Sequence, residues 1–230
     1  MTHPHRFLGA ILVGGRNTRF GAHKALARVD GVRIAERAAS ALAEAGCEPV
    51  VLIANEPEAY AGLGLPHRPD ARPGLGPLGG IHAALSWARD AGRPGAVVVA
   101  GDMPFAPPAL LRALAELASE PEADAAVPES PGRRGVEPLC AAYGVACLAA
   151  IEARAAAGGG AIVGFYEDVR VERMGRRRVA EFGDPRRMFL NVNTRAELAV
   201  AERLAGAPPP AAPGGPPPRS RRAAPPEGTR

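Results

Sequence analysis

Residues 8–24 read LGAILVGGRNTRFGAHK. The first six, Leu8–Val13, form a short apolar run stopped by Gly14-Gly15, the pattern of a buried strand entering a loop. Two runs of the same kind follow: Pro49–Ala54 (PVVLIA) and Ala96–Ala100 (AVVVA), the latter ending at Gly101-Asp102. Helical spacing of apolar residues marks Ile34–Ala45, with Gly46 as its C-cap, then Gly79–Ala91, Pro108–Ser119 and Cys147–Ala156. Thr194–Leu204 reads as a helix capped by Thr194, with Glu197 three positions on. Ala123–Val127, Leu139–Tyr143 and Phe189–Val192 read as further strands. Continuous apolar strands alternating with helices predict parallel strands covered on both faces. Ligands of such sheets bind outside the carboxyl ends of the strands, so the residues that follow each strand are the candidates for chemistry.

Composition sets the limits. The chain has 230 residues, 47% hydrophobic but only 4% aromatic, so Ala, Val, Leu and Ile must fill one sizeable core. No apolar run approaches the roughly 18 residues of a membrane-spanning helix. Phe7–Val13 is too short for a signal peptide and lacks a small-residue cleavage site, so a cytoplasmic protein without membrane contact is expected. Cys47, Cys140 and Cys147 show no paired spacing, which argues against a disulfide scaffold and a zinc site of the usual kind. The net charge is +4, but residues 207–230 hold four Arg against one Glu. The near-neutral remainder argues against a nucleic-acid-binding face. Residues 207–230 also hold nine Pro, so the expected organisation is one domain over 1–206 and a disordered Pro/Arg-rich tail over 207–230. Of the 28 basic residues, 27 are Arg and one is Lys: Lys24. A single lysine in so Arg-biased a chain points to a chemical reason for it.

Four segments at strand ends carry that chemistry. In the first loop, Gly14 and Gly15 allow the backbone to approach phosphates, and Arg16, Arg19 and Lys24 add positive charge. The loop is neither a Walker A sequence nor G-x-G-x-x-G. Asp102, just past a buried strand, is placed to hold Mg²⁺, a hard cation that takes oxygen and phosphate ligands; its other reading is a turn residue ahead of Pro104. Asp70, ahead of a Gly/Pro-rich stretch that runs to Gly80, can accept from base N–H or ribose hydroxyl groups. Asn191 and Asn193 alternate along an expected strand end and so share a face, where they suit a second substrate or the metal.

These segments, in this order, resemble the molybdenum cofactor guanylyltransferase (MobA) family of nucleotidyltransferases. The family's opening L-A-G-G-x-S-x-R-M-G-x-x-K is similar to L-V-G-G-R-N-T-R-F-G-A-H-K here, its D-x-P to Asp102-Met103-Pro104, and its G-P-L-x-G to Gly76–Gly80. Its N-V-N-T is present unchanged at Asn191–Thr194. The resemblance covers about Leu8 to Leu204. It implies an α/β fold, a Rossmann-like three-layer sandwich with a mostly parallel sheet of the nucleotidyltransferase type. It also implies transfer of GMP from GTP to the phosphate of molybdenum-molybdopterin, with pyrophosphate as the second product. Leu12, Val13, Gly14 and Gly15 would then meet the nucleotide together with Asp70; Lys24 and Arg19 would act on its phosphates; Asp102 would hold Mg²⁺. Asn191 and Asn193 would face the second substrate. Molybdoenzyme-maturation proteins are a further class of partner under this reading. The chain departs from the pattern at Val13, where Ala is usual, at Asn17-Thr18 and at Phe20. Ile53 stands where some members have Asn, and Gly135–Leu139 where members often show His-Pro, in the region that would face the pterin. The alternatives are a related cytidylyltransferase, another small-molecule phosphate nucleotidyltransferase, or a non-catalytic GTP- or cofactor-binding protein.

Overall fold

The computed structural model describes residues 6–14, 23–70, 75–159 and 161–206. Gly15, Arg16 and Arg19 of the first loop, and the whole 207–230 tail, lie outside the described residues. Among the described residues the strands are β1 (Leu8–Val13), β2 (Arg28–Val29), β3 (Val32–Arg33), β4 (Val50–Ala54), β5 (His67–Arg68), β6 (Gly95–Ala100), β7 (Ala125–Pro128), β8 (Cys140–Gly144) and β9 (Val171–Met174). The helices are α1 (Ile34–Glu44), α2 (Pro77–Asp90), α3 (Pro108–Leu117), α4 (Cys147–Ala156), α5 (Arg176–Ala180), α6 (Pro185–Met188) and α7 (Arg195–Ala205).

Seven strands form one sheet in the order β5-β4-β1-β6-β8-β7-β9, and β2 pairs with β3 in a separate hairpin. Neighbours run parallel except at β8, which is antiparallel to both β6 and β7. The sheet is therefore mostly parallel, as expected. Alternate residues of each strand face opposite layers. Ile11, Val97 and Val99 join Ala38 and Leu42 of α1 and Leu110 and Leu114 of α3 in one core. Leu8, Ala10, Ala96 and Val98 join Ile81 and Leu85 of α2 and Leu148 and Ile151 of α4 in the other. Helices cover both faces, giving the three layers. Each Leu or Ile so buried contributes roughly 1.5–3 kcal/mol from removal of apolar surface.

The chain order places the site. From β1 the chain passes through α1 to β4 on one side, then from β5 through α2 to β6 on the other. The two crossovers diverge at the carboxyl end of β1, and a crevice opens there. A third, smaller core forms beside the chain that follows Lys24: Val29 and Ile34, at the hairpin and the start of α1, pack with Val192 and with Ala201 of α7. This returns the C-terminal segment to the residues that follow Lys24.

One expected strand is absent. Phe189–Val192 is irregular chain after α6. Both edges of β6 are already taken by β1 and β8, so this segment has no free edge to join. It reaches the end of β6 instead through the Val192 N–H, which donates to the Asp102 carbonyl at 2.9 Å. The Arg176–Arg178 run forms the exposed face of α5, and His82 is buried on α2 with its Nε2 3.1 Å from Glu152 Oε1. No helix among the described residues is long and apolar enough to cross a membrane.

Candidate functional site

A cleft of about 840 Å³ opens at the carboxyl ends of β1, β4 and β6. That lies within the roughly 300–1,000 Å³ of small-molecule sites. Its walls include Leu12, Val13 and Gly14 from β1 and its exit, Lys24, Asp102, and Asp70 with Gly76 and Gly80 at the start of α2. Six of the sequence-derived candidates thus line one cavity. Gly15 and Arg19 lie outside the described residues.

Two glycines make the geometry possible. A Cβ on Gly101 would lie 2.5 Å from Val13 Cγ1 and 3.2 Å from Ala25 Cβ. Its absence lets the buried Ala25 close on the end of β6, and this draws the adjacent Lys24 to the adjacent Asp102. A Cβ on Gly79 would overlap the Asp70 carboxylate, so only glycine at this point of α2 leaves room for that carboxylate against the helix start. The Asp70 backbone is held too: its N–H donates to Asn55 Oδ1 at 2.8 Å, joining the exits of β4 and β5.

Lys24 is the hub of the polar half. It opens a 3₁₀ turn (Lys24–Leu26), and its Nζ donates to Asp102 Oδ2 at 3.0 Å and to Asn193 Oδ1 at 2.7 Å. About a fifth of each side chain is exposed, 20% for Lys24 and 19% for Asp102, so the pair sits at the water boundary of the cleft. The Asn193 backbone is fixed from behind. Its N–H donates to Glu197 Oε2 at 2.8 Å, and Thr194 Oγ1 caps α7 by accepting from the Glu197 N–H at 3.2 Å. Asn191 does not share this role. Its Nδ2 donates to the Phe189 carbonyl at 3.1 Å, a local turn contact. The expectation that the two asparagines face one way fails because the strand that would alternate them does not form.

The cleft also has a wall that carries no motif. Tyr60, from the 3₁₀ segment Pro57–Leu63, meets His23 with ring centres 5.2 Å apart and His23 Nδ1 3.2 Å from its hydroxyl. Burial, then the charge of Glu56, raises the Tyr60 phenol, so it stays protonated at neutral pH. Glu137 lies beyond the other rim, two residues before the cleft-lining Leu139. Its half-buried carboxyl is raised chiefly by burial, with the Asp102 charge pushing the same way and the Leu139 N–H and Arg134 opposing. The three cysteines are buried and free; burial pushes Cys47 and Cys147 up to about 12, which leaves them without thiolate character.

The oxygen donors suit a divalent ion that shares its coordination with a substrate. Asp102 Oδ2 and Asn193 Oδ1 converge on one cationic centre, the Lys24 ammonium. Among the described residues no group of three or more His, Cys, Asp or Glu side chains is placed to cage a metal. An ion here would take one carboxylate and complete its shell with phosphate and water, as Mg²⁺ does.

Comparison with known proteins places the whole chain. The chain is 38% identical over 199 residues to the probable molybdenum cofactor guanylyltransferase of Pelotomaculum thermopropionicum, covering 86% of this chain and 92% of that protein. It is 36% identical to the molybdenum cofactor guanylyltransferase of Rhodobacter capsulatus, covering 86% and 95%. The crystal structure of molybdopterin-guanine dinucleotide biosynthesis protein A from Archaeoglobus fulgidus superposes with a TM-score of 0.71 at 26% identity, covering 86% of this chain and 98% of that one. The profile of the MobA-like NTP transferase domain matches residues 9–170, and with relatives this similar along most of its length the chain belongs to that family.

Proposed function

We propose that this protein transfers GMP from GTP to the terminal phosphate of molybdenum-carrying molybdopterin, releasing pyrophosphate and the guanine dinucleotide form of the cofactor. The observation that carries the reading is the meeting of Lys24, Asp102 and Asn193 beside a glycine-walled cleft at the carboxyl end of β1. Family membership and the names of the relatives support the same activity.

In this reading the nucleotide enters over Leu12, Val13 and Gly14, with Asp70 accepting from its base or ribose. A phosphate oxygen of the acceptor attacks the α-phosphorus. The bond from that phosphorus to the α,β-bridging oxygen breaks, and pyrophosphate leaves with the electron pair. A phosphate monoester is largely ionised near neutral pH, its second pKa being about 6, so no strong general base is needed. Alignment and neutralisation of charge suffice. Lys24 supplies a positive charge to the departing pyrophosphate, and Arg19 belongs to the same task. Mg²⁺, held by Asp102, would lower the charge on the phosphoryl oxygens when bound. Asn193, which meets Lys24 from the C-terminal segment, serves the acceptor or the cation. The three free thiols are compatible with a reducing compartment, and we place the reaction in the cytoplasm.

The test is pyrophosphate release with Mg²⁺ and a molybdopterin-loaded acceptor, comparing GTP, CTP and ATP. GTP-selective release is expected. CTP-selective release would keep the site and move the protein to cytidylyl transfer. No release with any nucleotide from folded protein would overturn the enzymatic reading.

A further inference from the structure

The charge balance at Lys24 carries a consequence for the order in which ligands bind. Its ammonium sits on the two oxygens best placed to hold a cation, Asp102 Oδ2 at 3.0 Å and Asn193 Oδ1 at 2.7 Å. The Asn193 amide is oriented with its oxygen toward Lys24 because an ammonium has only donors to offer. The arrangement is not a chance surface contact. Asn193 lies 169 residues from Lys24 and is delivered by three separate anchors: the Val192 N–H on the Asp102 carbonyl, the Asn193 N–H on Glu197, and the packing of Val192 against Val29 and Ile34. Asp102 is held to the same segment through its own carbonyl. The backbone that carries the two oxygens is therefore held by contacts other than Lys24.

We propose that Lys24 is a stand-in for the divalent cation: in the nucleotide-free protein its ammonium occupies the Asp102–Asn193 oxygen pair, and it gives that position up to the metal only when nucleotide phosphates draw it away. This rests on the reading of the cleft as a nucleotide and Mg²⁺ site, and it adds Asn193 as the second protein oxygen of the cation position. The physical reason is exclusion by like charge. One partly buried carboxylate is neutralised by one ammonium, and a second cation on it must overcome repulsion from the first. A triphosphate removes that obstacle by offering the ammonium a better partner. Metal and nucleotide then bind with positive coupling, and linkage makes the coupling equal in both directions: nucleotide tightens metal by the factor that metal tightens nucleotide. Lysine suits the exchange because its ammonium is a point charge on a flexible stem, whereas an arginine fork would hold the carboxylate in two places.

The exchange predicts a gain where loss of an active-site residue ordinarily brings a loss. Mn²⁺ serves as the probe, followed by the disappearance of the free-ion EPR signal as protein without nucleotide is added. Lys24→Met is expected to bind Mn²⁺ about tenfold or more tightly than the wild type, because the competing charge is gone. Adding Asn193→Leu or Asp102→Asn to Lys24→Met should remove the gain. Lys24→Gln takes the place of Lys24→Met if the latter does not melt cooperatively. Equal or weaker Mn²⁺ binding by the lysine variants would overturn the exchange, and so would a gain that survives loss of Asn193. GTP affinity of the wild type in Mg²⁺, measured by calorimetry on the same preparation, separates the two levels. GTP binding without the Mn²⁺ gain overturns only the stand-in role. No GTP binding overturns the site reading and the exchange together.

Discussion

Among the cation–carboxylate pairs at strand ends of this sheet, Arg170 with Asp124 and Lys24 with Asp102 contrast most. The first joins the starts of β7 and β9. Arg170 donates to Asp124 through Nη2 at 2.7 Å, Nε at 3.1 Å and its backbone N–H at 2.9 Å, and its Nη1 reaches the Pro121 carbonyl at 2.9 Å. These hydrogen bonds hold the Asp124 carboxyl below its ordinary value. The second pair has a single contact on the carboxylate, 3.0 Å, and its cation is shared with an amide oxygen. The guanidinium pair is a staple: several fixed bonds, geometry set by a planar fork. The ammonium pair is an exchangeable contact at the mouth of a cavity. In a chain with 27 Arg and one Lys, the staple uses the common residue and the exchangeable site uses the rare one.

The sharpest way to break the comparison is to give the cleft the staple's chemistry. Lys24→Arg keeps the charge but offers Asp102 a bidentate partner, and kcat for nucleotidyl transfer should fall about 10²-fold while the melting temperature holds or rises. Steady-state kinetics beside thermal melting checks both. Gly79→Ala attacks the other half of the cleft by forcing the Asp70 carboxylate off the start of α2. KM for GTP should rise about tenfold, on the order of 1.4 kcal/mol, with a smaller change in kcat.

The staple is tested in the opposite sense. Arg170→Lys should lower the melting temperature by a few degrees at pH 7 and leave kcat unchanged. Asp124 has its carboxyl lowered in the folded protein, so its stabilisation is complete above the ordinary value of 3.8 and is lost as pH falls below it. The gap between variant and wild type should therefore close in acid. The smallest effect belongs to Glu137, whose carboxyl is raised instead. Its folded form binds a proton more tightly than its unfolded form, so its contribution is most favourable below about the ordinary 4.5 and declines as pH rises. Glu137→Gln should raise the melting temperature at pH 8 and give no gain at pH 4.

Much of the frame was legible because its signals are continuous and sharply bounded. The apolar patterns of Leu8–Val13 and Cys147–Ala156 have the bounds of β1 and α4, and Ala96–Ala100 differs from β6 by one residue. An apolar run carries no direction, so the antiparallel course of β8 was not visible in Leu139–Tyr143. Two-residue strands such as β2, β3 and β5 are too short for any periodic signal, and β9 carries two exposed charged residues in four. The site divided in the same manner. Lys24 and Asp102 stood out as a lone lysine and a carboxylate after a buried strand, and the cleft brings both together with Asp70. Tyr60 carries no signal in the sequence, because its place depends on how the Pro57–Leu63 segment brings it to His23, 37 residues away. The contact of Asn193 with Lys24 depends on α7 docking across the β2–β3 hairpin, which no local pattern encodes.

The central claim is that the Lys24–Asp102 cleft moves a nucleotidyl group. It is tested most directly by following label from α-³²P-GTP into a molybdopterin acceptor with Mg²⁺, for the wild type and for Asp102→Asn. The account predicts labelled guanine dinucleotide cofactor from the wild type and a rate lower by about 10²–10³-fold from a folded Asp102→Asn protein. Label transfer by Asp102→Asn at the wild-type rate would contradict it.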